Sequence, residues 1–264
     1  CRGIVEDIMS WRSERRDTFA ALKKVLENLS PPEDPIKLGL PKRFKIRDAV
    51  TYPTLDLGYD ASVFVVHASA AVKRILSLAY VLVWSVSEIR EAAPLAGHAA
   101  LERVTLLVDE VEAHLHPRWQ RVILPALLEV MDDLAPQAQV QLVVTTHAPL
   151  VLASVETHFD PEQDELIELE QEAGRKGKTV RIVEEPLPRL GDVNTWLKKY
   201  FLLKEPRSLE AEHVITDAAA ALKNPELGKE DWTSLNARLH EVLSDVDPFW
   251  VRWQYIADKR GWLS

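Results

Sequence analysis

Two carboxylates, Asp109 and Glu110, stand side by side directly after the apolar run VTLLV at 104–108. Glu112, His114 and His116 follow at once. An Asp at the carboxyl end of a strand can support Mg²⁺ through water, because that ion keeps much of its hydration shell. The next residue points the other way along the pleat, and a Glu there can polarise an attacking water. Such a pair divides metal support from water activation in phosphoryl transfer. Two rival readings use the same residues. Acids at a strand end can simply be solvated. His114 and His116, two apart, could share one side of an extended metal-binding segment, although no third ligand of fixed spacing follows.

The surrounding elements must bring these groups together. Residues 4–29 read as one amphipathic helix, with Ile4, Ile8, Trp11, Phe19, Leu22, Val25 and Leu29 near helical spacing. SPPEDP at 30–35 stops it, and 36–66 reads as irregular or strand-like, with FKIRDAVTY and ASVFVV as strand candidates. Ser69 is the expected N-cap of a long buried helix. APLAGHAAL reads as a loop. VTLLV reads as a central parallel strand covered on both faces. Pro117 opens a helix through about Met131, and QVQLVVTT is a second buried strand that ends at His147. A short helix around LVLASV comes next. The alternation predicts an α/β fold with a parallel sheet. DELIELEQ and KTVRIVEE then read as a hairpin, and from about residue 191 the chain reads as helical.

Composition sets outer limits. At 47% hydrophobic and 28% charged, the chain has the make-up of a soluble globular protein with a sizeable core. The net charge of −9 predicts a surface that as a whole repels nucleic acid, so composition gives no support for that partner. A single cysteine, Cys1, excludes a disulfide scaffold within one chain and fits a cytoplasmic location. The longest largely apolar run, ILSLAYVLVW, has ten residues, too few to span a bilayer. Ser154 lacks the G-x-S-x-G turn of a serine hydrolase. Asp245 and Asp247 in SDVDP follow a helical segment and read as helix punctuation, not as a nuclease acid pair. Five of the eight tryptophans (Trp196, Trp232, Trp250, Trp253 and Trp262) lie in the tail, where packing or a partner interface is the expectation.

DEVEAHLHP resembles the Walker B strand end and D-loop of ABC-type ATPases related to the SMC and OLD families, and VVTTHAPLVL resembles their H-loop. VHASAAVKRILSLAY is similar to their signature helix. The resemblance covers residues 60–156 and implies a P-loop NTPase fold, here the ABC-ATPase-like C-terminal lobe, with ATP and Mg²⁺ as cofactors. It implies that Asp109 supports Mg²⁺ through water, Glu110 activates water and His147 contacts the γ-phosphate. It implies that Ser69 and its helix N-terminus face the nucleotide of an opposite subunit in a homodimer that sandwiches ATP. Glu112, His114 and His116 then belong to a D-loop across that dimer interface. One position departs from the pattern: Ala71 stands where the family has glycine, which adds a methyl group where backbone must approach phosphate. NTWLKKYFLLKEPRSLEAE resembles the helical tail of bacterial relatives found in phage-defence or toxin-like operons.

The phosphate-binding string G-x-x-x-x-G-K-S/T does not occur in the chain. GRKGKT, Gly174 to Thr179, has two residues between its glycines and lies between two strand-like runs, so it reads as a hairpin turn. A Walker A-bearing N-terminal lobe, on a preceding segment or a separate chain, is therefore an expected partner, and this chain by itself is expected to bind ATP weakly or not at all. The expected organisation is an N-terminal segment at 1–60, a catalytic lobe at 61–190 and a helical region at 191–264. The expected activity is ATP hydrolysis. The alternative is a non-catalytic interaction module that retains the fold, favoured by Ala71 and opposed by the intact Asp109–Glu110 pair.

Overall fold

The apolar spacing at the N-terminus builds two helices rather than one, α1 (Arg2–Glu14) and α2 (Arg16–Asn28), broken at Arg15 with φ −123° and ψ 67°. The computed structural model describes residues 2–45, 50–95, 97, 101–174, 177–185, 187–203, 206–224 and 227–262. Pro31, Pro32 and Pro35 prevent α2 from continuing. Five short strands follow: β1 (Lys37–Leu38), β2 (Lys42–Arg43), β3 (Thr51–Tyr52), β4 (Thr54–Asp56) and β5 (Val63–Phe64). They form an antiparallel sheet in the order β1-β4-β5 and a separate β2–β3 ribbon. Part of the FKIRDAVTY expectation, residues 46–49, lies outside the described residues.

Helix α3 (Ala70–Leu95) starts where expected, its first turn closed by the Val72 N–H donating to Ser69 Oγ at 3.3 Å. It ends at Leu95, two residues beyond Ala93, where the sequence predicts its end. By length and composition alone it could cross a membrane. A buried core helix meets the same criterion, and Val72, Ile75, Leu76, Ala79, Leu82, Val83 and Val86 of α3 lie in the core. Arg15, at the α1–α2 break, holds the far end of this helix. Its guanidinium bonds Glu88 at 3.1 Å and also Glu91.

The central motif is β6 (Arg103–Val108), α4 (Pro117–Gln120), α5 (Ile123–Leu134), β7 (Gln139–Val144) and α6 (Pro149–Val155). The helix expected from Pro117 to Met131 is split at Arg121–Val122. Pro125 explains this, since it lacks an N–H and its ring clashes with the carbonyl four residues back. Strands β6 and β7 pair in parallel, with Arg103 opposite Gln139 and Val108 opposite Val144. The expectation of cover on both faces is not met. Val104, Leu106, Val108, Val140, Leu142 and Val144 pack on the core. The other face carries Arg103, Thr105, Leu107, Gln139, Gln141 and Val143, with Leu107 74% exposed. The apolar outward residues had hidden a half-buried alternation.

Strands β8 (Leu166–Gly174) and β9 (Gly177–Glu185) form an antiparallel ribbon closed between Gly174 and Gly177. Lys178 and Thr179 of GRKGKT therefore lie on a strand, with no helix opening there; Arg175 and Lys176 lie outside the described residues. The chain divides into two compact units, Cys1–Val193 and Asn194–Ser264. Helix α7 (Val193–Lys199) spans that division. Helices α8 (Leu209–Leu222), α9 (Lys229–Val242) and α10 (Phe249–Lys259) give the second unit a core of its own, which includes Trp232, Trp250 and Trp253. There Asp247 takes a two-pronged bond from Arg207, at 2.8 and 3.0 Å, and caps α10 through the Phe249 N–H at 2.8 Å. Burial pushes its carboxyl up, but the Arg207 and Phe249 bonds outweigh burial and hold it below the usual range.

Candidate functional site

Parallel pairing delivers the carboxyl ends of β6 and β7 to one edge, which is where ligands of open α/β sheets gather. The ladder continues one step beyond the strands. The Thr145 N–H donates to the Val108 carbonyl at 3.0 Å, and the Val111 N–H donates to the Thr145 carbonyl at 3.2 Å. Asp109 and Glu110 are thereby placed beside Thr145, Thr146 and His147.

Thr145 organises the acid pair. Its hydroxyl donates to Asp109 Oδ1 at 2.5 Å and accepts the Glu110 N–H at 2.8 Å. Glu110 has φ +46°, in the left-handed region. A non-glycine residue held there costs about 1 kcal/mol or more and persists only where neighbours impose it. The turn brings Glu110 Oε1 to 3.9 Å from His147 Nδ1, and both side chains are exposed, 60% and 72%.

Glu112 fixes the histidine from below. Only 4% of its side chain is exposed. Its Oε1 accepts the His147 backbone N–H at 2.7 Å and lies 3.0 Å from His147 Nδ1, while its Oε2 accepts the Thr146 hydroxyl at 2.7 Å. Thr146 Oγ1 also accepts the Ala148 N–H at 3.1 Å. The Oε1 contact favours the tautomer with Nδ1 protonated and Nε2 turned away from Glu112. The expectation that Glu112 faces a second subunit does not fit this geometry, because its carboxylate is turned into its own chain. Leu115 is buried as well, whereas His114, at φ +66°, and His116 are exposed. His116 Nδ1 accepts the Arg118 N–H at 3.2 Å and so caps α4, with Pro117 at its first turn.

Helix α3 reaches the same edge. Arg74 donates to the Asp109 carbonyl at 3.2 Å. Ser69, which caps the helix, is exposed, and Ala71 is half-buried against the core. Sequence reasoning missed Thr145, Thr146 and Arg74. Two hydroxyls before His147 were the available signal, since threonines at a strand end can bond acids from the neighbouring strand.

Among the described residues, no group of three or more His, Cys, Asp or Glu side chains could hold a metal ion directly. An exposed Asp109, with one oxygen steadied by Thr145, has the chemistry to hold a hydrated Mg²⁺ through water.

Residues 12–153 match the family described as "AAA domain, putative AbiEii toxin, Type IV TA system". The Retron Ec83 probable ATPase of Escherichia coli is 24% identical over 159 residues, which cover 60% of this chain and 26% of that protein. The Retron Vc95 probable ATPase of Vibrio cholerae serotype O1 biovar El Tor is 36% identical over 62 residues, 24% of this chain and 10% of that protein. The chain thus spans about a quarter and a tenth of the length of these two relatives. Solved structures give looser likenesses. A structure of SMC ATPases described for ATP-driven dimerisation and DNA-stimulated activation matches at 16% identity and TM-score 0.39, covering 65% of this chain and 87% of its own. The Pyrococcus furiosus Smc head bound to the C-terminal domain of ScpA matches at 15% identity and TM-score 0.37, covering 69% and 38%.

Proposed function

This chain belongs to that AAA domain family, matched over more than half its length, and from this premise we propose that it is the acid-bearing lobe of an ATPase that hydrolyses ATP with Mg²⁺. The observation that carries the reading is the convergence of Glu110 and His147 at one sheet edge, their groups 3.9 Å apart and exposed to an incoming ligand. Bound Mg·ATP would supply the electrophilic γ-phosphorus and the metal that offsets its charge. Asp109, its carboxylate steadied by Thr145, would hold that metal through water. Glu110 accepts a proton from water. His147, its Nδ1 held by Glu112, would have Nε2 available for the γ-phosphate.

Ser69 and the α3 N-terminus, with exposed His114 and His116, form the face offered to a second copy across the nucleotide. The phosphate-cradling loop comes from a Walker A-bearing lobe outside this chain. The reading is of a cytoplasmic protein whose organisation follows the N-terminal segment, catalytic lobe and helical region set out from the sequence.

A second reading, a non-catalytic interaction module, draws on Ala71, whose methyl group occupies the position where glycine would admit phosphate. Steady-state ATP hydrolysis by this chain joined to a G-x-x-x-x-G-K-S/T-bearing lobe separates the two. Turnover that rises further in Ala71→Gly supports the ATPase reading. An assembled protein with no turnover in either form supports the module reading.

A further inference from the structure

Thr145 and Thr146 stand as a pair between the end of β7 and His147. A threonine hydroxyl has one proton to donate and lone pairs with which to accept. Adjacent side chains of an extended segment point to opposite sides, so the two hydroxyls can serve different partners. Thr146 donates to Glu112 Oε2 at 2.7 Å and accepts the Ala148 N–H at 3.1 Å. Thr145 donates to Asp109 Oδ1 at 2.5 Å and accepts the Glu110 N–H at 2.8 Å. Each hydroxyl proton is committed, so Thr146 does not stand in for Thr145.

The backbone of Thr145 is tied to the same segment. Its N–H donates to the Val108 carbonyl at 3.0 Å, and its carbonyl accepts the Val111 N–H at 3.2 Å. Backbone and side chain together therefore engage residues 108, 109, 110 and 111 in order. Glu110 sits inside this bracket at φ +46°. A residue with a Cβ stays there only where its neighbours impose it. The backbone bonds fix where the turn begins and ends, and the hydroxyl alone grips Glu110 within it. Both hydroxyl bonds lie in exposed surroundings, where water can satisfy Asp109 and the Glu110 N–H. Losing them costs the fold little. What is lost is the direction of the Glu110 side chain.

We propose that Thr145 is a positioning residue of the ATPase site: its hydroxyl sets the Glu110 turn and so aims the Glu110 carboxylate at the attacking water. This rests on the ATPase reading above. Thr145 spends its hydroxyl within the chain and has none left for nucleotide, so its removal acts on turnover and not on affinity. Misplacing a reacting group by about 1 Å can slow a reaction about a hundredfold. Valine keeps the shape of threonine and removes the hydroxyl. Serine keeps the hydroxyl and removes the methyl group.

The first arm of the test uses the 264-residue chain without nucleotide. Amide exchange read by NMR shows the Glu110 N–H protected in wild type and Thr145→Ser, and exchanging about tenfold faster or more in Thr145→Val, with the Val111 N–H unchanged. The second arm uses the chain joined to a G-x-x-x-x-G-K-S/T-bearing lobe. Thr145→Val lowers kcat by roughly tenfold to a hundredfold and leaves KM for Mg·ATP within about threefold, and Thr145→Ser restores kcat to within about threefold. If Thr145→Val does not fold, Thr145→Ala is read in the same two arms. Equal Glu110 exchange in wild type and Thr145→Val overturns the proposal. So does a kcat that holds in Thr145→Val while Glu110→Gln abolishes turnover, and in that case the ATPase reading survives. Turnover that Glu110→Gln leaves unchanged removes the ATPase reading and this proposal with it.

Discussion

Replacing Glu112 by alanine removes three bonds from one buried carboxylate, at 2.7, 2.7 and 3.0 Å. Their loss is unequal. His147 is 72% exposed, so water can replace the partner of Nδ1. The His147 N–H and the Thr146 hydroxyl are part-buried and lose charge-assisted bonds worth roughly 1.5–3 kcal/mol each. Because both run to one group and are not additive, the expected cost is about 3 kcal/mol. At about 2–4 °C per kcal/mol for a unit of this size, the first unit should melt roughly 6–12 °C lower. Glu112→Gln keeps a carbonyl for His147 and turns an amide toward Thr146. The Thr146 hydroxyl must then accept rather than donate, so the variant loses charge assistance and one acceptor, about 1–2 kcal/mol, still less than alanine. Calorimetry measures the shift, and ¹⁵N NMR of the imidazole reads the tautomer: Nδ1–H in wild type and Glu112→Gln, a mixture in Glu112→Ala. If Glu112→Ala changes stability by less than about 0.5 kcal/mol and leaves the tautomer unaltered, the carboxylate does not hold His147 and the reasoning is wrong.

Further expectations follow from other parts of the chain. Leu106→Ala should cost about 2 kcal/mol in urea unfolding, because Leu106 packs on the core. Leu107→Ala, at 74% exposure, should stay within about 0.5 kcal/mol; equal costs would refute the one-sided sheet. Arg207→Ala strips a largely buried carboxylate of its partner and should lower the stability of the second unit by about 3 kcal/mol. The Asp247 carboxyl is held below its unfolded value, so this contribution is full above the ordinary carboxylate range and disappears as pH falls through the lowered value. Urea midpoints of wild type and variant should therefore converge in strong acid. Tyr80 donates to Asp7 at 2.5 Å, and burial first, then that bond, pushes its hydroxyl up to about 12. The stabilisation is present below the unfolded tyrosine range and is lost as pH rises through about 12, so Tyr80→Phe should remove about 1 kcal/mol at neutral pH and nothing at the alkaline extreme.

Much of this molecule could be read from residue order. VTLLV and QVQLVV declare strands by their apolar runs, Ser69 and Pro117 declare helix starts, and Gly174 and Gly177 close the ribbon as expected. The meeting of the two strand ends also followed from the alternation of elements. Other features depend on tertiary contacts that local pattern does not carry. The break at Arg15 is reinforced by glutamates more than seventy residues away on α3. Pro125 did carry a signal for the split between α4 and α5, but the apolar spacing around it masked the break. The bare sheet face escaped notice because Leu107 and Val143 are apolar yet point outward. Glu112 lies in a string of acids and histidines that reads as a surface loop. Its burial depends on the Thr146 hydroxyl and the His147 backbone amide just past the end of the next strand, and only the fold brings these to it.

The most direct test of the ATPase reading is ATP turnover by this chain assembled with a Walker A-bearing lobe, comparing wild type with Glu110→Gln. The amide keeps the size of the side chain and removes its capacity to take a proton from water. The account predicts that turnover falls by about a hundredfold or more while Mg·ATP binding is retained. Turnover equal to wild type would contradict it and would remove Glu110, and with it the acid pair at the end of β6, from the chemistry.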